Sequence, residues 1–198
     1  MTVFYLVRHA HATWTPDENR PLSERGHRDA LRLAERLSEQ PMTAVYASTA
    51  RRAQQTVAPT AERLGLALQI TPALDERRLC EGVVEDFEAA VRATWADLHF
   101  AHPGGETNAD AQERGLALVC GLSTSCPDAQ IVLGTHGNLL ALIVQGALIV
   151  QGVLPKDGYT FWQSLTMPDL YRLELRITGS PPDRASLLER LWIPGARG

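Results

Sequence analysis

MTVFYLVRHAHATW, residues 1–14, begins as a strand and ends in charge. Residues 2–7 (TVFYLV) are β-branched, aromatic or leucine almost without a break, the pattern of a strand covered on both faces. Such strands belong to parallel sheets with helices on either side, and those sheets bind ligands beyond the carboxyl ends of their strands. Arg8, His9 and His11 stand at that end of this one. A histidine at a strand end is most often a plain surface residue, so the meaning of His9 depends on what the other strands deliver to the same edge.

Helical period begins near residue 23. Ala30, Leu33, Ala34 and Leu37 share one face of a helix over 23–39, with Ser23 as its N-cap. TAVYA at 43–47 predicts a second strand. ARRAQQTVAPTAERLG then predicts a helix with Ala53, Val57 and Leu64 on its inner stripe, a kink at Pro59 and an end at Gly65. LALQI at 66–70 reads as a third strand. Helices are expected over 85–99, with Phe87, Val91 and Leu98 in step, and over 106–122. AQIVLGTHG at 129–137 reads as a buried strand entering a turn. LLALIVQGALIV at 139–150 is too short for a membrane span and is broken by Gln145 and Gly146, so it predicts a buried helix. LYRLELRI at 170–177 alternates as a last, edge strand. The tail from about residue 179 reads as loosely attached, with SLLERLW as a short helix packed on the domain or, more sharply, a dimer contact. Strands alternating with helices predict one domain over 1–198, a three-layer α/β/α sandwich with a mainly parallel central sheet.

Bulk properties narrow the partners. The chain has 198 residues, 44% hydrophobic and 21% charged, enough for a full core without staples. Its net charge of −4 supplies no global positive field for a phosphate backbone, so nucleic acid is not expected as a partner. A local group of arginines can still hold one small anion. Cys80, Cys120 and Cys126 are odd in number and form no CxxC pair, which argues against a disulfide framework or thiolate zinc site and for a reducing cytoplasm. The apolar run at 3–7 is too short, and lacks preceding basic residues, for a signal peptide. No membrane partner is expected, and monomer and homodimer both stay open.

The other strand ends change the standing of His9. The second strand ends in Ser48 and opens a helix carrying Arg51 and Arg52; the third leads through TPALDER to Glu76 and Arg77; the strand at 129–135 ends in Thr135, His136 and Gly137. Topology alone sends two histidines, several arginines and a carboxylate to one site. Arginine forks match phosphate oxygens with paired, charge-assisted hydrogen bonds. A neutral imidazole can attack phosphorus, cations can stabilise the transferring group, and a carboxylic acid can protonate the departing alkoxide. That set suits phosphoryl transfer through a phosphohistidine, with neither metal nor other cofactor.

These residues also carry a resemblance. LVRHAHATW, YASTARRAQQT, LDER, HPGGETNADAQER and GTHGN follow, in order, the motifs of the histidine phosphatase superfamily, the phosphoglycerate mutase-like proteins, and PDLYRLEL resembles the family's closing strand. The resemblance implies that His9 is the phosphorylated nucleophile, His136 its partner, Arg8 and Arg52 the phosphate clamp, and Glu76 the proton donor. Arg52, not Arg51, falls on the RAxQT pattern. It further places Thr15, Gly137 and Asn138 at the substrate, while Arg77 either lines the pocket or points outward. The implied activity is a metal-independent phosphatase acting on small phosphorylated metabolites. A mutase returning the phosphoryl group to substrate is the alternative, since water and a second hydroxyl use the same phosphoenzyme.

The departures from the family pattern are specific. Ala10 replaces a glycine whose carbonyl steadies the nucleophilic ring, a bond that alanine can make if its backbone angles are allowed. His11, Ala12 and Thr15 stand where relatives have a glutamate, a hydroxyl residue and a phosphate-binding asparagine. Cys80 stands near a family glycine, and His136 is followed by glycine rather than the aspartate of the acid phosphatases, which leaves Glu76 as the acid. Two rival readings remain. HAH resembles the His-x-His of zinc hydrolases, with His136 as a further ligand, although Arg8 would repel a dication. Alternatively the pocket binds phosphate without turnover. His11 reads as a rim residue and Trp14 as packing or a pocket wall. Glu106 and Thr107 order their loop or line the pocket. Arg51, Arg78, His27, His99 and His102 read as exposed or structural.

Overall fold

The computed structural model describes residues 1–15, 19–149, 157–175 and 188–192. β1 (Thr2–Arg8) leads to α1 (Glu24–Leu37), β2 (Ala44–Ala47), α2 (Arg51–Leu64) and β3 (Leu68–Ile70). A short 3₁₀ turn at Pro72–Leu74 precedes α3 (Phe87–Ala96), α4 (Asn108–Ser125), β4 (Gln130–Thr135) and α5 (Gly137–Ile149). α6 (Gly158–Ser164), β5 (Asp169–Leu175) and β6 (Leu188–Arg190) complete the described elements. The strands form one sheet in the order β3-β2-β4-β1-β5-β6. β3, β2, β4 and β1 are mutually parallel, β5 runs antiparallel to β1, and β6 runs antiparallel to β5. The sheet is mainly parallel, as its strand composition predicts.

β1 is buried on both faces because its side chains alternate between two cores. Val3, Tyr5 and Val7 pack with Val45, Val132 and Leu170 under Leu33 and Leu37 of α1 and Val57 and Ala61 of α2. Phe4 and Leu6 pack on the other side with Ile131, Leu133 and the apolar helix α5. Leu139, Leu140, Leu142 and Ile143 are all fully buried, so the helix is apolar beyond a single stripe because protein packs on several of its sides. No helix among the described residues is long and apolar enough to cross a membrane.

Local chemistry sets the helix ends. The Ser23 side chain caps α1 by accepting from the Gly26 N–H, and the expected face of Ala30, Leu33, Ala34 and Leu37 is the buried one. α2 continues past Pro59 to Leu64 and closes on Gly65 in the left-handed region, φ 65°. Its N-cap, Ala50, has no side chain to offer. Asn19 Oδ1 instead accepts from the Arg51 N–H and Ser48 Oγ from the Ala50 N–H.

Three expectations are corrected. β5 is an interior strand, because Leu188–Arg190 pairs with it. Within SLLERLW, Leu188–Arg190 is therefore strand, not helix; a run this short carries both periods equally well. Phe87, expected on the inner stripe of its helix, is 60% exposed. Asp86 caps α3 by accepting from the Ala89 N–H, so the helix starts at Phe87 and ends at Ala96, leaving Leu98 to pack on the core from outside it. Residues 176–187 and 193–198, which together hold most of the tail expected to be loose, lie outside the described residues.

Candidate active site

Register assembles the site. Arg8 pairs with Thr135 across β1 and β4, and Ala47 with Gly134 across β2 and β4. The His9 N–H donates to the Thr135 carbonyl at 2.9 Å, and the Ser48 N–H to that of Gly134 at 3.0 Å. The residues following three adjacent strand ends are thereby fixed beside one another. His9 and His136 meet edge to face, ring centroids 5.2 Å apart.

Each imidazole is oriented by partners that define its roles. His9 Nδ1 lies 2.8 Å from the Ala10 carbonyl. A carbonyl only accepts, so Nδ1 carries the proton and Nε2 keeps the free lone pair. Ala10 makes the bond that a glycine was expected to make. Among the described residues only Asp128 is a non-glycine with positive φ, so Ala10 needs no conformation reserved for glycine. Its methyl packs with Leu22 and Ala30. Its N–H donates to Thr56 Oγ1 at 3.0 Å, and the Thr56 hydroxyl donates to the Arg52 carbonyl at 2.7 Å.

Arg52 spans both rings. Its Nε lies 3.3 Å from His9 Nε2, and its Nη2 lies 3.2 Å from His136 Nδ1. His136 Nε2 is 2.7 Å from Ser48 Oγ. Burial, then the charges of Arg52, Arg8 and Arg20 acting against the Ala10 bond, bring the His9 pKa down to about 3. Burial, the charge of His9 and the same three arginines hold His136 well below the ordinary value. Both imidazoles are neutral at neutral pH. Arg20 is the charge that sequence reading missed, for no motif marks it. Ser48 and Thr56 were also missed as site residues, although Thr56 stands four residues after Arg52 on the same helix face.

Arg8 donates from Nη1 to the Leu165 carbonyl at 2.8 Å, while its buried Nε has no partner. Burial pulls its guanidinium below the ordinary value, against Glu76 and Asp169. A Cβ on Gly137 would lie 3.0 Å from Arg8 Cζ, so the glycine makes room for the guanidinium. Glu76 sits at the first turn of α5: Oε1 accepts from the Arg77 and Leu139 N–H groups, both at 3.0 Å, and Oε2 from the Asn138 N–H at 3.1 Å. Arg77 is 4% exposed, and its Nε and Nη1 are buried without partners. Burial lowers its pKa, with Glu76, Glu106 and Cys80 acting to raise it.

Other candidates are occupied elsewhere. The Asn138 side chain accepts from Trp95 Nε1 at 3.0 Å and donates to Asn108 Oδ1 at 3.2 Å, so it joins three helices, and its backbone N–H serves Glu76. Thr15 is partly buried. His11 is exposed and pairs with Ser23 Oγ at 2.9 Å, away from the partners of His9. Trp14 is 78% exposed. Glu106 grips Arg114 through both oxygens, at 3.0 Å each, and Arg114 Nη1 also donates to the carbonyls of Pro72, Ala73 and Asp75. Thr107 caps α4. Glu106 and Thr107 thus order their loop.

Two predictions arise from this geometry. Arg51 is exposed while Arg52 faces both histidines. Arg52→Ala should lower kcat/KM by roughly 10²–10³-fold, the worth of a transition-state donor, and Arg51→Ala by less than about threefold. Equal losses in steady-state assays would misplace the motif on the helix. The second concerns pH. Histidines whose native pKa lies below the unfolded value stay neutral in the fold while the unfolded chain takes up protons, so stability falls as pH falls. The urea midpoint should decline from about pH 6.5 to pH 5, above most carboxylate titration, and His9→Asn should flatten the slope.

The family described as the histidine phosphatase superfamily (branch 1) matches residues 4–164. A glucosyl-3-phosphoglycerate phosphatase of Mycobacterium tuberculosis is 32% identical over 137 residues, 62% of this chain and 61% of that protein. One from Mycolicibacterium vanbaalenii is 30% identical over 152 residues, 70% of this chain and 66% of that protein. The matched part of the chain thus spans somewhat under two thirds of these relatives. Among solved structures, a mycobacterial glucosyl-3-phosphoglycerate phosphatase complexed with VO3 shares the fold, with a TM-score of 0.78 at 24% identity, covering 96% of this chain and 98% of that one.

Proposed function

The chain belongs to the histidine phosphatase superfamily, and we propose that it hydrolyses small phosphate monoesters through a phosphohistidine on His9. The observation that carries this reading is the neutral imidazole of His9, its Nδ1–H held by Ala10 and its Nε2 lone pair turned towards the Arg52 guanidinium. Phosphate oxygens exchange for the long Arg52 contacts and take the free Nε of Arg8. His9 Nε2 attacks phosphorus as the ester bond breaks, Glu76 protonates the departing oxygen, and the arginines and His136 hold the equatorial oxygens. Water then attacks the phosphohistidine, gives its proton to Glu76, and releases inorganic phosphate.

The substrate class follows from Arg77. A buried guanidinium with two idle nitrogens is costly unless something pairs with it. We place a second anionic group of the substrate there, such as the carboxylate of a glycerate ester, in keeping with the named activity of the mycobacterial relatives. A hydrolysis panel on pure protein tests this, with glucosyl-3-phosphoglycerate, 3-phosphoglycerate and glycerol phosphate, before and after exhaustive chelation and beside a mutase assay. Turnover should survive chelation, and Arg77→Ala should raise KM about tenfold for the carboxylates only. Phosphate transfer to a second hydroxyl in place of release would make the chain a mutase. Loss on chelation restored by zinc would revive the metal reading.

A further inference from the structure

Arg8 stands opposite a carboxylate that does not hold it. In the antiparallel pair of β1 and β5, Arg8 is directly across from Asp169, so both side chains leave the same face of the sheet, with Cβ atoms about 5 Å apart. An arginine and an aspartate so placed ordinarily close a two-pronged ion pair. Here the carboxylate is already full. Asp169 Oδ1 accepts from the Leu170 N–H at 3.0 Å and from Arg190 Nε at 3.0 Å. Its Oδ2 accepts from the Thr166 N–H at 2.8 Å and from Arg190 Nη2 at 2.6 Å. Two bonds on each oxygen use all the positions a carboxylate offers.

The donor that fills it comes from the last strand. Arg190 lies on β6, donates from Nη2 to the Ser164 carbonyl and Thr166 Oγ1, both at 3.3 Å, and sits 5.8 Å from the Tyr171 ring centroid. Asp169 is fully buried, whereas the Arg190 side chain is 35% exposed. Arg8, denied the carboxylate, bonds only the Leu165 carbonyl among the described residues and keeps Nε free. We propose that Arg190 is a positioning residue for phosphate binding: by occupying Asp169 it keeps Arg8 available to the phosphoryl group. The inference rests on the reading of Arg8 as a phosphate ligand. It gives β6 a function, since without that strand a buried aspartate would claim the arginine at the end of β1.

The test reads inhibition by inorganic phosphate and vanadate, with KM and kcat, in Arg190→Gln, Asp169→Asn, the double variant and Arg8→Ala. Arg190→Gln should raise both inhibition constants and KM about tenfold or more, the worth of one charge-assisted contact, with a smaller effect on kcat. The double variant should return within about threefold of the parent, because the competing charge has gone. A residue that merely braces the fold predicts a lower urea midpoint in Arg190→Gln with both inhibition constants unchanged. An unchanged inhibition constant in Arg190→Gln overturns the proposal, as does a double variant no better than the single. If Arg190→Gln does not fold, the double variant decides alone: folded, with weakened phosphate binding, it overturns the proposal, and with parental binding it supports it. Unaltered phosphate binding in Arg8→Ala instead defeats the assignment of Arg8 itself.

Discussion

His9→Ala is expected to abolish phosphoenzyme formation, with kcat falling on the order of 10⁴–10⁶-fold, as when the nucleophile of a covalent catalyst is lost. Geometry selects His9 over His136. Each ring has one nitrogen on a long Arg52 contact that a phosphate oxygen can displace. Only His9 has its other nitrogen against a carbonyl, which fixes the proton on Nδ1 and the lone pair on Nε2, whereas the Ser48 hydroxyl at His136 Nε2 can donate or accept. Brief reaction with labelled substrate and an alkaline quench should trap one acid-labile, base-stable phosphoryl group per parent chain, and none in the variant. Label on His136 or on a serine, or surviving turnover, sinks the mechanism. Inorganic phosphate affinity serves as a control for folding, because Arg8 and Arg52 remain.

What the sequence made legible was what local pattern controls. The face of α1 could be read because Ala30, Leu33, Ala34 and Leu37 repeat at helical spacing, and β1 because its strand formers are unbroken. Strand-end placement then brought Arg8, His9, Arg52 and His136 to one edge, since topology alone fixes that edge. The misses share a different cause. Leu188–Arg190 is too short for period to distinguish strand from helix, and its partner β5 lies over a dozen residues away in sequence. The burial of Arg77 and the filling of Asp169 by Arg190 are tertiary facts about charged residues, which pattern assigns to the surface. Ser48 and Thr56 act through single hydrogen bonds to His136 and to the Ala10 peptide. Small hydroxyl residues of that kind look the same in a sequence whether they cap a helix or steer a catalytic ring.

Glu76→Gln carries the second large effect, and its form matters more than its size. Glu76 holds two kinds of partner. Its oxygens accept from the Asn138 and Leu139 N–H groups at the first turn of α5, so the residue anchors that helix. If it is also the general acid, it must give a proton to the leaving group. Glutamine keeps the shape and one accepting oxygen, but it has no proton to give and turns an NH₂ towards backbone donors. Damage to the anchor would slow every substrate alike. Loss of the acid should depend on the leaving group. An alkoxide needs its proton in the transition state, whereas nitrophenolate departs almost unaided. Hydrolysis of an alkyl phosphate should therefore fall by roughly 10²–10⁴-fold, the usual worth of acid catalysis, while p-nitrophenyl phosphate hydrolysis falls far less. A uniform loss would confine Glu76 to anchoring α5. Glu81, exposed and joined to the 102–106 loop through its N–H to the Pro103 carbonyl, then becomes the acid to test by the same comparison.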